Sequence, residues 1–324
     1  MALQEIKAYL APGLKRVDAC IARVLASDIQ LLDQTNRMLR EHPGKMLRPL
    51  LGLLCAGAAG TPTEDTIRYA SATELLHNAT LLHDDVVDGA AERRGLPTVA
   101  TLLGGSASVL IGDYWVVQCL DLVLGSESDV NRVLRIMADT LGHLAEGEML
   151  QMEKAQKADT TQKDYLRIIF CKTASLFEAA ALSAVISVRG GKEAEEALGH
   201  YARNIGIAYQ ISDDILDYSG EEIGKPVGID LLEGKITQPL LCALEKADAN
   251  QQKHIRSLVA SMADNPANAD EVRAFVAAAD GVALARREMD YWLEKAVACL
   301  ESLPESKEKS YLAELAQVVK KRNR

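Results

Sequence analysis

The 324-residue chain contains two copies of an Asp-Asp-x-x-Asp motif, at residues 84–88 and 213–217, each inside an apolar stretch with helical periodicity. On a helix, residues four apart lie on the same face, one turn from each other. Asp84 and Asp88 therefore form one pair of carboxylates, and Asp213 and Asp217 form a second. Like charges at this spacing repel each other, so we expect a cation at each pair. Oxygen ligands select a hard divalent ion, and so few carboxylates per ion favour Mg²⁺ bound jointly with substrate phosphates.

Basic residues lie in the segments around these motifs, where phosphates would need them. Arginine can bind phosphate oxygens with two parallel hydrogen bonds, and lysine supplies a compact positive charge. Two acidic pairs with this many cations indicate two diphosphate groups, one held through metal and one held directly. The basic residues are Lys45 and Arg48 in a turn before a helix, Arg93 and Arg94 one loop after the first motif, Lys172 within a helix, and Lys225 and Lys235 in loops after the second motif.

Two helices must position the acidic motifs. The periodicity predicts helices over 66–88 and 192–218, so both motifs lie in last turns, each before a glycine. A helix C-terminus disfavours anions, and such a local violation tends to mark a functional site. If the two helices pack side by side, the carboxylates face one another across a cavity. The other predicted helices cover 15–41, 49–59, 106–124, 129–155, 162–188, 234–246, 251–262, 270–280, 281–300 and 307–320.

Composition supports an all-α fold, which we expect to be a single helical bundle around a central cavity, with one domain over residues 1–324. Aromatic residues are few, and proline is absent between Pro97 and Pro226. The net charge of −10 argues against nucleic-acid binding. The six cysteines show no Cys-x-x-Cys pair, which favours reduced thiols and a cytoplasmic location. We expect no integral membrane segment, because the longest apolar stretch, 49–60, is too short to span a bilayer.

The order of these motifs makes the family resemblance specific. The chain resembles the all-trans polyprenyl diphosphate synthases of the isoprenyl diphosphate synthase family over nearly its whole length, and in particular the long-chain octaprenyl and heptaprenyl type. The stretches that carry the resemblance are Gly44-Lys45-x-x-Arg48-Pro49, His83 with the first acidic motif, Arg93-Arg94-Gly95-x-Pro97, Gly112-Asp113-Tyr114, Gly147-Glu148, Lys172-Thr173, Tyr209-Gln210 with the second acidic motif, Gly224-Lys225-Pro226-x-Gly228-x-Asp230, and Gly234-Lys235.

The resemblance implies a role for each candidate residue. Three Mg²⁺ ions would bridge the diphosphate of an allylic substrate. The implied metal ligands are Asp84, Asp88 and Asp213, with Asp85, Asp214 and Asp217 as further carboxylates. The same diphosphate would be held by Arg93, Lys172, Thr173, Gln210, Lys225 and Lys235. The diphosphate of isopentenyl diphosphate would be held by Lys45, Arg48, His77 and Arg94. The resemblance also implies a symmetric homodimer.

The implied reaction proceeds by ionisation, condensation and elimination. The allylic diphosphate ionises, the double bond of isopentenyl diphosphate attacks the allylic cation, and a proton is lost. Charge grows on the diphosphate oxygens as they depart, so cations fixed around them lower this barrier more than they stabilise the ground state. Lys172 also has an alternative interpretation, as an ion-pair partner of Glu148 or Glu178.

The residues upstream of the first motif indicate the product length. Thr80, Ala79, Leu76 and Thr73 precede Asp84 on its helix, and none is aromatic. In the family, bulky residues at these positions stop chain growth early. About 16 Å of helix separates Thr73 from Asp84, so an apolar tunnel of that depth predicts products of about C30–C50, hexaprenyl to decaprenyl.

Three alternatives remain open. A shorter-chain farnesyl or geranylgeranyl diphosphate synthase would share every motif. A class I terpene cyclase would share the fold and the first motif, but its second motif usually mixes Asn or Asp with Ser or Thr and Glu, and it needs no isopentenyl diphosphate site. A non-catalytic subunit should have lost acidic ligands, whereas all six are present here.

Overall fold

The computed structural model describes residues 2–219 and 228–321, and this part of the chain is helical apart from one two-stranded hairpin. The expected all-α fold is confirmed. The helices are α1 Ala2–Val24, α2 Gln30–Arg40, α3 Leu47–Ala59, α4 Glu64–Val87, α5 Val99–Leu103, α6 Gly105–Leu124, α7 Val130–Lys157, α8 Gln162–Ile169, α9 Ser175–Ser187, α10 Gly191–Ser219, α11 Ile229–Leu232, α12 Gln238–Glu245, α13 Ala249–Ala260, α14 Asn268–Ala278, α15 Gly281–Ala298 and α16 Lys307–Lys321.

The chain divides into two compact units. The first unit comprises Met1–Ala138, Ala179–Gly199 and Ser302–Leu312, and the second comprises Asp139–Glu178, His200–Glu301 and Ala313–Arg324. The first acidic motif belongs to the first unit and the second motif to the second unit. The expectation of one domain over the whole chain stays a prediction.

Helix α4, which carries the first acidic motif, is the central element of the first unit. It packs against α1, α3 and α6. The helix starts at a capping box, in which the Thr63 and Thr66 side chains each accept a hydrogen bond from the backbone of the other. Leu75 and Leu76 in its middle are fully buried, and burial of each such side chain contributes about 1.5–3 kcal/mol. The C-terminal turn with the aspartates is thus the end of a helix fixed by its core.

A short hairpin follows α4 and carries the two adjacent arginines. Strand β1, Glu92–Arg93, pairs antiparallel with β2, Leu96–Pro97. The two residues between the strands, Arg94 (φ 56°) and Gly95 (φ 77°), both have positive φ, as a type I′ turn requires. The turn therefore places Arg93 within strand β1 and Arg94 at the tip of the hairpin.

The second unit contains a π-helical turn, Phe170–Ala174, between α8 and α9. Such turns insert one residue into an α-helix and are frequent at functional sites. Two glycines allow neighbouring helices to approach it closely. A Cβ on Gly147 of α7 would lie 2.7 Å from Cys171, and a Cβ on Gly206 of α10 would lie 2.6 Å from the Cα of Ala174. Helices α7 and α10 can therefore contact this turn only because those positions lack side chains.

Three predicted helix boundaries were wrong. The segment 15–41 forms two helices, because the chain turns after α1 and the Asn36 side chain donates to the Leu25 carbonyl there. The segment 162–188 is interrupted by the π-helical turn. The helix expected over 234–246 begins at Gln238, because Thr237 is extended and Pro239 occupies the first turn.

Two helical stretches are long and apolar enough to cross a membrane by length and composition, Gly105–Leu124 and Gln162–Ser187. The second is 72% buried within the protein and the first 39%. Core helices of soluble proteins commonly satisfy the same criteria, so the observation is weak evidence for a membrane segment.

Candidate active site

The three aspartates of the first motif have different surroundings. Asp84 is partly exposed and Asp88 is exposed at the end of α4, whereas Asp85 between them is only 3% exposed. Arg93 donates from Nε to Oδ1 of Asp85 over 2.6 Å. The outer carboxylates thus face solvent, while the middle one is buried and bonded to the hairpin.

The second motif repeats this division. Asp213 is partly exposed, and Asp214 is 2% exposed. Oδ2 of Asp214 accepts a hydrogen bond from the Tyr165 hydroxyl at 2.6 Å and lies 3.4 Å from the backbone nitrogen of Gln238. Its Oδ1 accepts from Nε2 of Gln210 at 3.1 Å. In each motif, therefore, the second aspartate is bound by other protein groups.

Burial raises the pKa values of both Asp214 and Tyr165. It raises the pKa of Asp214, and the negative charge of Asp230 raises it further. Burial also raises the pKa of Tyr165 well above its usual range, with the Asp214 charge adding to the shift. The Tyr165 hydroxyl therefore stays protonated and acts as a donor.

Asp217, the last residue of the second motif, accepts hydrogen bonds from three consecutive backbone N–H groups. Its Oδ1 lies 2.9 Å from the nitrogen of Gly228 and 3.1 Å from that of Ile229, and its Oδ2 lies 3.3 Å from that of Asp230. These bonds cap the N-terminus of α11. The role of Asp217 as a metal-site carboxylate stays a prediction.

The carboxylates present suit a hard cation that is shared with substrate. Within residues 2–219 and 228–321, no group of three or more His, Cys, Asp or Glu side chains is placed to hold a metal ion by itself. Asp84, Asp88 and Asp213 nevertheless offer partly or fully exposed oxygen donors. Mg²⁺ commonly binds to one or two carboxylates, keeps waters and takes its remaining ligands from phosphate. The exposed carboxylates of each motif, taken by itself, therefore fit Mg²⁺ bound together with a diphosphate.

A basic cluster forms in the first unit around His77 of α4. Burial lowers the pKa of His77 well below its usual value, and the positive charges of Arg48, Arg94 and Arg93 lower it further. Three predicted ligands of isopentenyl diphosphate, Arg48, His77 and Arg94, therefore lie close enough to interact. Lys45, the fourth, is exposed in the turn before α3.

The turn before α3 and the hairpin tip are joined by Arg94. Its Nη1 donates to the His42 carbonyl at 2.9 Å. Gly44 has a φ of 70°, and a Cβ at this position would lie 2.5 Å from Cζ of Arg94. Gly44 is thus needed twice, for its left-handed backbone and for the space that the guanidinium occupies.

The predicted ligands of the allylic diphosphate in the second unit form a connected set. Lys172, in the π-helical turn, lies 2.5 Å from Glu148 and donates to Gln151 at 3.1 Å. Its neighbour Thr173 donates its hydroxyl to Oε1 of Gln210 at 2.9 Å. Of the two alternative partners of Lys172, the structure shows Glu148, because Glu178 is paired with Arg203 at 2.8 Å.

Lys235 lies close to acidic neighbours after α11. It forms ion pairs with Asp230 and Glu233. Burial raises the pKa of Asp230, while the positive charges of Lys235 and Lys172 oppose that shift. Lys172 and Lys235 thus act on the same carboxylate. Lys225, with Gly224 and Pro226 of the same motif, lies outside the described residues.

The residues expected to line a product tunnel are mostly buried. Leu76, Ala79 and Thr73 have no exposed surface, and Thr80 is partly exposed. The hydroxyl of Thr73 donates to the Ala70 carbonyl and that of Thr80 to the His77 carbonyl. Since both hydroxyls are satisfied within α4, neither needs a polar partner from another element.

Two buried residues of these networks were not predicted from the sequence. Tyr165 lies seven residues before Lys172, and no spacing rule marks it, because the π-helical turn that contains Lys172 breaks the α-helical period. Glu74, 3% exposed, lies three residues before His77. Burial raises its pKa, and the charges of Arg48 and Arg94 oppose that shift.

Comparison with known proteins identifies the family of the chain. The family model described as polyprenyl synthetase matches residues 29–278. The octaprenyl diphosphate synthase of Haemophilus influenzae is 39% identical, covering 100% of this chain and 98% of the relative. A crystal structure of a decaprenyl diphosphate synthase from Rhodobacter capsulatus matches with a TM-score of 0.92 and 34% identity, covering 99% of both chains.

A second solved structure includes ligands. It is a polyprenyl synthase from Caulobacter crescentus complexed with calcium and isoprenyl diphosphate, with a TM-score of 0.90 and 31% identity, covering 99% of this chain and 98% of that one. The matches extend over nearly the whole chain in both sequence and fold. The chain therefore belongs to the polyprenyl synthetase family.

Proposed function

We propose that this protein is a Mg²⁺-dependent trans-prenyltransferase that makes a long-chain all-trans polyprenyl diphosphate of about C30–C50, a length set by the helix upstream of the first motif. In each cycle the allylic carbon–oxygen bond breaks, and a carbon–carbon bond forms to the double bond of isopentenyl diphosphate. Diphosphate and one proton are released. The observation that carries the proposal is common to both acidic motifs: the second aspartate, Asp85 or Asp214, is buried, while the first, Asp84 or Asp213, is partly exposed.

The isopentenyl diphosphate site is proposed at the basic cluster of the first unit. Arg48 lies in the first turn of α3, where the helix dipole also favours an anion. Arg94 and Lys45 are exposed beside it, and Gly44 gives Arg94 its place. Burial, together with the charges of the same arginines, lowers the pKa of His77 and favours its neutral form. A diphosphate bound by Lys45, Arg48, His77 and Arg94 would neutralise this concentration of positive charge.

The allylic diphosphate is proposed to bind with three Mg²⁺ ions at the two acidic motifs. Asp84, Asp88 and Asp213 would hold the ions, while Asp85, Asp214 and Asp217 support them through the contacts described above. When bound, the ions supply positive charge that stabilises the departing diphosphate. The protein groups proposed to orient that diphosphate are Arg93, Lys172, Thr173, Gln210, Lys225 and Lys235.

A homodimer is proposed through the exposed face of α6. Leu110, Val117 and Leu124 are spaced seven residues apart, and 68%, 51% and 58% of their surfaces are exposed. Apolar residues at this period on one helix are typical of a helix that packs against a partner helix. A second copy of this chain would cover the stripe with an identical one.

A cytoplasmic location is also proposed. All six cysteines are free thiols, and five of them are buried. Unbridged cysteines are typical of proteins from a reducing compartment.

Product analysis tests the proposed activity. Purified protein is incubated with Mg²⁺, labelled isopentenyl diphosphate and farnesyl diphosphate, and the chain length is measured after removal of phosphate. We expect labelled hexaprenyl to decaprenyl alcohols and none in EDTA. A product no longer than geranylgeranyl would contradict the long-chain assignment. Hydrocarbon released from farnesyl diphosphate alone would identify a terpene cyclase instead.

A further inference from the structure

Tyr165 lies in a buried position that links α8 to the second acidic motif. Its side chain is 3% exposed, and its hydroxyl lies 2.6 Å from Oδ2 of Asp214. Among the described residues, the same oxygen has one further donor, the backbone nitrogen of Gln238 at 3.4 Å. The tyrosine thus provides the shorter of the two hydrogen bonds to that oxygen.

The bond to Asp214 extends towards the predicted substrate ligands. Oδ1 of Asp214 accepts from Nε2 of Gln210 at 3.1 Å, and Oε1 of Gln210 accepts from the Thr173 hydroxyl at 2.9 Å. An amide has one donating and one accepting end, so these two bonds together fix which way the Gln210 side chain points. Tyr165 and Gln210 both donate to Asp214, and Thr173 donates to Gln210. The four side chains therefore form one continuous chain of hydrogen bonds.

The position of Tyr165 along the helix gives this chain a geometric role. Helix α8 begins at a capping box formed by Thr161 and Asp164, and it runs directly into the π-helical turn with Lys172 and Thr173. π-helical turns are rare, occur mostly as single-turn bulges inside α-helices and are frequent at functional sites. The hydrogen bond from Tyr165 to Asp214 ties α8 to α10 just before the turn, and we expect it to hold the turn in place against α10.

We propose that the Tyr165 hydroxyl is a positioning group, which holds Asp214 and, through Gln210, the Thr173 hydroxyl in the arrangement that binds the allylic diphosphate. This inference rests on the proposed function of the second motif. Tyr165 itself does not contact substrate. Its removal should therefore weaken binding of the allylic diphosphate and its metal, with little effect on isopentenyl diphosphate.

The test compares Tyr165→Phe with Tyr69→Phe. Tyr69 is 1% exposed, and its hydroxyl also makes a 2.6 Å hydrogen bond, to Ser126 in the first unit. Both variants lose one buried hydroxyl of the same kind, so both should lose similar thermal stability. Two measurements separate them: steady-state KM values for both substrates, and the stabilisation against heat that Mg²⁺ with inorganic pyrophosphate gives.

For Tyr165→Phe we expect KM for the allylic diphosphate, and the pyrophosphate concentration for half-maximal stabilisation, to rise about 10–100-fold, the usual effect of losing a group that orients a ligand. KM for isopentenyl diphosphate should change less than about twofold, and Tyr69→Phe should match the wild type in all three values. Tyr165→Phe values equal to those of Tyr69→Phe would overturn the inference while leaving the proposed function intact. A wild-type protein that makes no polyprenyl diphosphate would overturn both.

A double variant gives a second test. Asp214→Asn changes the group that accepts the tyrosine hydrogen bond, so the effect of Tyr165→Phe can also be measured in that background. If the hydroxyl acts through Asp214, adding Tyr165→Phe to Asp214→Asn should change the pyrophosphate stabilisation less than about twofold. A further loss of about tenfold, as large as that of a whole orienting contact, would overturn the inference.

Discussion

Arg93 and Asp85 are joined by a 2.6 Å hydrogen bond between Nε and Oδ1, with 31% of the arginine side chain and 4% of the aspartate side chain exposed. The bond connects the hairpin to the last turn of α4. The middle aspartate of the first motif is therefore committed to a protein partner, and the arginine is held at the last turn of α4.

Arg93→Gln should lower the free energy of unfolding, because it leaves Asp85 buried without its charged partner. Loss of a hydrogen bond that leaves a buried acceptor unsatisfied costs about 1–3 kcal/mol. Urea denaturation measures the change. Arg94→Gln is the matched control, since Arg94 is exposed and bonds only to a backbone carbonyl among the contacts described. Equal destabilisation by both variants would contradict the assigned role of the bond.

Asp88→Asn should separate stability from activity. Asp88 lies four residues after Asp84 at a helix C-terminus, where like charges repel and the helix dipole disfavours anions. In EDTA the variant should therefore melt at the same temperature as the wild type or slightly higher, while kcat falls about 100-fold because a metal ligand is lost. Calorimetry and product assays measure the two effects. A variant that is destabilised in EDTA would indicate a structural role for Asp88 instead.

Ala79→Phe should shorten the product. Ala79 has no exposed surface and precedes the first motif by just over one helical turn, so a phenylalanine would fill the proposed tunnel near its start. Chromatography of the dephosphorylated products should show a shift towards C15–C20 alcohols, about one or two condensations, since the ring lies roughly one turn from the motif. Overpacking itself costs about 1–3 kcal/mol.

The control is Ala70→Phe, also buried in α4. Nine residues separate the two alanines, about half a turn out of phase, so they lie on opposite faces of the helix. Ala70→Phe should destabilise the protein without changing the product length. Shortening by both variants to the same extent would show that the effect is not specific to the tunnel.

Stability should decrease as the pH falls below 6.5 because of His77. Burial and three arginines lower its pKa below the ordinary value of 6.5, so the unfolded chain takes up a proton that the folded chain does not. His77 costs no stability above pH 6.5, where it is neutral in both states, and the free energy of unfolding falls by about 1.4 kcal/mol per pH unit as the pH drops from 6.5 towards the folded-state pKa. Thermal melts between pH 7.5 and 5 should show a smaller slope for His77→Gln. An identical slope in variant and wild type would contradict the prediction.

Leu110→Glu combined with Val117→Glu should produce a monomer. Both side chains belong to the exposed stripe of α6, and two carboxylates on each copy would repel across a symmetric interface. Light scattering after size exclusion measures the mass. Ile29→Glu, which changes a residue that is 61% exposed elsewhere in the first unit, is the control and should leave the mass unchanged. A wild-type protein that elutes as a monomer would refute the dimer directly.

The sequence was sufficient for the features that depend on periodicity and residue type. The helix with the first motif was predicted over 66–88 and extends over Glu64–Val87, because its apolar period and the glycine after it are local signals. The helix with the second motif was equally well placed, at Gly191–Ser219. The adjacent arginines were singled out by charge alone, although their hairpin was not predicted.

The features that the sequence did not reveal depend on contacts between distant segments. The π-helical turn interrupts a segment predicted as one helix and packs closely against Gly147 and Gly206, contacts that periodicity cannot register. Likewise, the motif pattern did not distinguish the second aspartate from its neighbours. That distinction arises because Asp85 meets Arg93 and Asp214 meets Tyr165 only after folding.

The π-helical turn also restricts how this segment can change in length. Each residue advances an α-helix by about 100°, so deleting one residue between Phe170 and Ala174 would restore a regular helix and rotate α9 by that angle relative to α8. The buried side of α9 would then point away from its packing partners. Substitutions can accumulate in this stretch, but insertions and deletions cannot, and chimeric proteins assembled from relatives should keep residues 162–187 as one uncut block.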